Sequence, residues 1–92
     1  MVFEWDEKKN KYNIAKHGVS FATATKVFLD PKAQIFPDPF KDEERWDAVG
    51  LVEQVLFVVF TERDGDKVRI ISARKANKEE IYGYKNNDFR RS

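Results

Sequence analysis

Cysteine is absent from these 92 residues, which excludes disulfide stapling, thiolate metal sites and a cysteine nucleophile together. Histidine occurs once, so a structural zinc site is left without its usual ligands. No pair of histidines or carboxylates stands at metal-ligand spacing on a helix, and no metal is expected. The four glycines are scattered singly; there is no phosphate-cradling glycine-rich loop and no nucleophile elbow, and no cofactor is expected. No apolar run approaches the roughly 20 residues that a membrane span requires. The opening MVFEWDEKK lacks the order of a signal peptide, so a soluble, cytoplasmic protein without a membrane partner is expected. Strong charge of either sign is also missing: 36% of residues are charged, yet the net charge is +1, too little for a field that draws in a polyanion.

What is present is sized for one modest core, and a single domain over residues 1–92 is expected, with the tail 87–92 flexible. Eight phenylalanines raise the aromatic content to 14% and supply volume that a short chain otherwise lacks. Acidic residues crowd between Asp30 and Asp47, while Arg63, Lys67, Arg69, Arg74, Lys75, Lys78, Lys85, Arg90 and Arg91 weight the C-terminal third toward positive.

The periodicity predicts a short strand over 2–5, then a helix over EKKNKYNIAKH, capped by Asp6 and ended by Gly18. Ser20 caps a second helix, with Phe21, Ala24, Val27 and Phe28 on one face and Pro31 closing it. Strands are predicted over 33–36, 45–52, 54–62 and from Lys67 to Arg74, with an Asp-Gly turn joining the last two. In period two, Val68, Ile70 and Ser72 face one side and Arg69, Ile71 and Ala73 the other. Asn77 and Glu80 form a capping-box start to a last helix, which Gly83 weakens. The predicted class is α+β: an antiparallel sheet of about four strands, two N-terminal helices and one C-terminal helix.

Several side chains have both a functional and a bland reading. Asn13, Lys16 and His17 share one helical face and suit phosphate binding or proton transfer; they also complement a helix C-terminus, which spacing alone favours. Arg45 beside Trp46 suits phosphate contact with base stacking; an ion pair with Glu43 or Glu44 and a core indole fit equally. Arg63 reads as a cross-strand ion-pair partner, as does Arg69 with Asp64 and Asp66. Arg74 and Lys75 stand where strand meets helix N-terminus, an anion-favouring place, or pair with Glu79 or Glu80 as a solvated cap.

Taken together, FEWDEKKNKYNIAKHGVSF, ERWDAVG and RIISARKANKEE resemble the BrnT family of bacterial type II toxins, from Phe3 to Tyr84 in order and spacing. The matching positions are Trp5, Asp6, Asn13, Lys16, His17, Gly18, Phe21, Arg45, Gly50, Ser72, Arg74 and Glu80. The resemblance implies a small RelE-like fold and a ribonuclease toxin. It also implies a neighbouring antitoxin with a ribbon-helix-helix DNA-binding domain, through which alone operator DNA is contacted and the operon repressed. An RNA substrate then calls for a base, cations and an acid. Arg74 and Arg63 are expected to stabilise charge, and Glu80, His17 or Lys75 to exchange protons. Arg45 and Lys16 would hold the RNA backbone, and Trp46 or Tyr84 would stack a base. Two rival expectations are a catalytically silent antitoxin-binding module of the same fold and a non-catalytic nucleic-acid binder.

Overall fold

The computed structural model describes residues 1–87. Its elements are β1 (Val2–Glu4), α1 (Glu7–His17), α2 (Phe21–Thr25), a 3-10 turn (Lys26–Leu29), β2 (Gln34–Pro37), β3 (Trp46–Val52), β4 (Gln54–Arg63), β5 (Lys67–Lys75) and α3 (Lys78–Asn86). The α+β class stands as expected. Of the tail, only Asn87 lies among the described residues, where its left-handed backbone (φ 55°) caps α3.

Local chemistry sets the helix ends. The Asp6 carboxylate accepts from the N–H groups of Lys8 and Lys9, and Gly18 (φ 74°) closes α1 by donating to the Ile14 carbonyl, as a left-handed residue after a helix does. Ser20 accepts from Thr23 N–H. The second helix is shorter than expected: it tightens after Thr25 into the 3-10 turn, which carries Val27 and Phe28 into the core region. The turn also brings Val27 against β3. A Cβ on Gly50 would lie 2.8 Å from Val27 Cγ1 and 3.2 Å from its carbonyl oxygen, so only glycine permits the approach.

The sheet has five strands in the order β1-β5-β4-β3-β2. The expected meander is present as antiparallel pairs, but β1 adds a fifth strand and pairs parallel to β5, Phe3 opposite Val68. The sheet is therefore mixed, a correction that follows from the α1–α2 crossover carrying the chain to the far side before the meander starts. This pairing also reassigns Arg69: its partner is Glu4 at 3.3 Å on the neighbouring strand, not the turn aspartates.

A second correction concerns β5. Phe60 pairs with Ile70 and Val59 with Ser72, leaving Ile71 as an extra residue in a β-bulge. The bulge changes the phase of the strand. Val68, Ile70 and Ala73 consequently join one core cluster with Phe21, Ala24, Val27, Leu56, Val58 and Phe60, whereas uninterrupted alternation would send Ala73 to the opposite face. Ser72 and Arg74 thereby emerge on the face away from α1 and α2.

Beyond the short β1, the outer edge of β5 is finished by a side chain. Asn13, 5% exposed, accepts from Ala73 N–H at 3.2 Å and donates to the Ala73 carbonyl at 2.7 Å and the Val19 carbonyl at 2.8 Å. An amide can both donate and accept, so it completes the edge as a neighbouring peptide would.

Candidate active site

The bulge and the capping box together place Arg74. Glu80 is the N3 residue of α3; its carboxylate accepts from Asn77 N–H at 2.9 Å, while Asn77 Oδ1 accepts from Glu80 N–H at 2.8 Å. Held there, Glu80 receives the Arg74 guanidinium end-on, with Nη1 to Oε1 at 2.8 Å and Nη2 to Oε2 at 2.9 Å. The guanidinium also lies over the Phe57 ring, 4.3 Å from its centroid, and Phe57 meets Phe36 edge-on at 6.4 Å. Such a bidentate, ring-stacked arginine is fixed in orientation. The hydrogen bonds with Glu80 raise the Arg74 pKa above its already high value, against desolvation. Burial opposes the Glu80 charge, but the bonds from Arg74 and Asn77 outweigh it and hold that carboxyl below its ordinary range.

Beside this pair lies a carboxyl that the sequence reading did not single out. Asp47 on β3 is 3% exposed, and its Oδ1 has no hydrogen-bond partner. It stands opposite Val59, two residues along β4 from the Phe57–Arg74 pair, about 7 Å at strand rise. Burial first, then the hydrogen bond and charge of Asp38, then Glu80, push its pKa up to about 8, with Arg74 pulling the other way. Asp38 responds in the opposite sense. The hydrogen bond from Asp47 lowers its pKa, helped by Phe40 N–H and the Arg45 charge and resisted by burial. One signal was available in RWDAVGLV: an aspartate within an apolar strand, facing the same side as Val49, is out of place unless it has polar company.

The other candidates fall elsewhere. Arg63 pairs with Lys67 at the far end of β4, about 20 Å of strand from Phe57, and forms an ion pair with Glu43 at 4.0 Å. Arg45 donates from Nε to Glu43 at 2.9 Å and lies over Phe40, 3.8 Å from its centroid; it borders the Asp38 end of the site. Trp46 points to the opposite face from Arg45 and Asp47, packing against the core at an open groove of ≈ 230 Å³ that it lines with Met1, Phe28, Ile35, Phe60, Glu62 and Val68. Tyr84 docks α3: its hydroxyl donates to Asp30 Oδ2, which also accepts from Leu51 N–H at 2.8 Å. Burial and that carboxylate push its pKa up to about 12. Lys75 is exposed at the end of β5, opposite Leu56. Lys16 lies 5.7 Å from the Tyr12 ring centroid on α1, and His17 ends the same helix, whose Asn13 belongs to the β5 edge. Of the expected residues, the structure gathers Arg74 and Glu80, with Lys75 adjacent in sequence and Arg45 at the margin. It adds Asp47, Asp38, Phe57 and Phe36.

A family described as "Ribonuclease toxin, BrnT, of type II toxin-antitoxin system" matches residues 5–80, a span holding every residue of this cluster. The chain belongs to the BrnT family. Among solved structures, that of the Brucella abortus ribonuclease toxin BrnT is similar at 33% identity and a TM-score of 0.68, covering 85% of this chain and 100% of that one. No curated protein matches. Membership in the BrnT family makes this chain a ribonuclease toxin of a type II toxin-antitoxin system, a class whose toxins are paired with a protein antitoxin. Among the described residues no helix is long and apolar enough to cross a membrane.

Proposed function

We propose that the chain is an endoribonuclease that cleaves RNA without a metal ion, arrests translation and growth from the cytoplasm, and has Arg74 at its centre. In this reaction the ribose 2'-hydroxyl loses its proton and its oxygen bonds to the adjacent phosphorus. The bond from phosphorus to the 5'-oxygen breaks and that oxygen takes up a proton, leaving a 2',3'-cyclic phosphate and a 5'-hydroxyl. Negative charge gathers on the phosphorus oxygens, and a preorganised cation is what stabilises it. The single observation that supports this centre is the guanidinium held end-on by Glu80 and placed over Phe57: its Nη1–Nη2 edge is fixed, with Nη1 also donating to the Lys75 carbonyl at 3.2 Å, and the Nε–H and the second Nη2–H face outward for phosphate. Phe57 and Phe36 supply aromatic surface for a base beside it. In this arrangement Glu80 orients Arg74 and is the candidate for proton exchange that touches it, while Lys75, paired with Leu56, leaves β5 on the opposite face from Arg74.

Purified protein incubated with RNA in EDTA tests the reading. Cleavage is expected to persist, and Arg74→Ala to lower its rate on the order of 100-fold. Full dependence on added Mg²⁺ would remove the mechanism, and unchanged cleavage in the variant would remove Arg74. The cognate antitoxin is proposed to be a ribbon-helix-helix protein whose complex with this chain represses their operon; type II membership supports the protein partner, and co-purification with the product of the adjacent gene tests its type. A second reading, a silent antitoxin-binding module, draws support from His17 and Arg63 standing away from Arg74. Survival of a bacterial host at good soluble expression, with no RNA cleavage by the purified protein, would favour it.

A further inference from the structure

We propose that Asp47 and Asp38 share a single proton, and that this buried proton keeps Arg74 available to an RNA phosphate, making Asp47 a positioning residue of the ribonuclease centre. The inference rests on the proposed role of Arg74.

The argument begins with burial. Asp47 is 3% exposed, is the diagonal neighbour of Asp38 across the β2–β3 ladder, where Phe36 pairs with Asp47 and Asp38 N–H donates to the Arg45 carbonyl at 2.9 Å, and is left with one oxygen that no donor reaches. Two carboxylates cannot form a hydrogen bond to each other; one of them must carry the proton. An ionised carboxylate with a bare oxygen, out of reach of water, is also far more costly than a neutral carboxyl with the same oxygen bare. The proton belongs on Asp47, since Asp38 receives the Phe40 N–H at 2.9 Å and the influence of Arg45, both of which favour its charge.

The groups facing Asp47 complete the reasoning. Asp38 follows β2, Arg45 immediately precedes β3, Arg74 comes from β5 and Glu80 from α3. The β4 residues beside it, Phe57 and Val59, carry no charge. With the proton in place, Arg74 answers to Glu80 alone, while Arg45, already bonded to Glu43, adds its charge beside Asp38. Without it the Asp47 carboxylate also competes for Arg74 and repels the incoming phosphate.

Single-turnover cleavage of an RNA oligonucleotide, followed from about pH 6 to about pH 9.5, tests this. The wild-type rate is expected to fall about tenfold per pH unit once Asp47 titrates, near the value of about 8. Asp47→Asn keeps a donor toward Asp38 but has no proton to lose, so this alkaline limb should vanish. Its rate one unit above the wild-type midpoint should exceed that of wild type about tenfold. Asp38→Asn removes the like charge and should move the limb to lower pH. A limb unchanged in Asp47→Asn would overturn the proposal. Carboxyl-carbon NMR titration of the wild-type protein gives a reading independent of cleavage. An Asp47 signal titrating in the ordinary carboxylate range overturns the shared proton, whereas absence of cleavage at every pH overturns the ribonuclease centre itself.

Discussion

Replacing Asn13 by alanine removes three hydrogen bonds and leaves three backbone groups behind: the Ala73 N–H, the Ala73 carbonyl and the Val19 carbonyl. Each is a polar group in a place that is 5% exposed for Asn13 itself. An unpaired buried group costs about 1–3 kcal/mol, which sets a ceiling of about 9 kcal/mol for three. Water entering the vacated space recovers part of this, and a loss of about 3 kcal/mol is expected. That is a large fraction of the 5–15 kcal/mol typical of a domain. With a urea slope of about 1 to 1.5 kcal/mol/M, the unfolding midpoint should drop by roughly 2 to 3 M. Asn13→Asp sharpens the test. One carboxyl oxygen still accepts from Ala73 N–H, but the other faces two carbonyl oxygens where the amide donated. A proton on that oxygen restores one donor, so burial should raise this carboxyl's pKa. Its contribution is then most favourable at low pH and is lost as pH rises through the unfolded and then the folded pKa. Asn13→Asp should therefore be worse than Asn13→Ala at neutral pH and recover on acidification. A midpoint shift of less than about 0.5 M for Asn13→Ala, or no pH dependence of Asn13→Asp relative to wild type, would refute the strand-edge role.

Asp47 makes stability depend on pH in a calculable direction. Its folded pKa is raised from 3.8 to about 8, so between those values the unfolded chain has released a proton that the folded one retains, and stability falls as pH rises from about 4 to about 8. Asp38 and Glu80, both held below their ordinary values, contribute stability that is lost in acid, so the maximum should lie at mildly acidic pH. Urea titrations at about pH 5.5 and pH 8.5 should differ by roughly 3 kcal/mol in wild type and by much less in Asp47→Asn. Gly50→Ala forces its Cβ to within 2.8 Å of Val27 Cγ1 and 3.2 Å of the Val27 carbonyl; the overpacking should cost about 1–3 kcal/mol by thermal or urea unfolding, and a neutral result would show the 3-10 turn to be free to move.

The sequence yielded those parts whose causes are local. Asp6, Ser20, Gly18 and the Asn77–Glu80 box mark helix ends through bonds that span only a few residues, and each stands where expected. Arg74 and Glu80 were legible for the same reason: six residues separate them, across one strand-to-helix corner. What depends on distant pairing was not legible. The phase of β5 turns on how Val59 and Phe60 meet it, which no pattern within KVRIISARK discloses. The partnership of Asp47 needs Asp38 across a loop, Arg74 from β5 and Glu80 from α3. Trp46 and Tyr84 were read as stacking platforms because an aromatic ring looks the same in sequence whether it lies under a base or against a core; only the sheet face and the Asp30 contact separate the two.

The parallel pairing of β1 with β5 also orders events in time. β1 precedes β5 by most of the described residues, yet Phe3 pairs with Val68, and Asn13 closes on Ala73 sixty residues later. Contacts of such separation form late, after the chain between them has been laid down. α1 and α2 therefore lack their sheet until β4 and β5 have formed, and the bulged strand that aims Arg74 is completed by the same long-range pairing. The face that presents Arg74 and the stability of the fold are thus acquired in the same closing step.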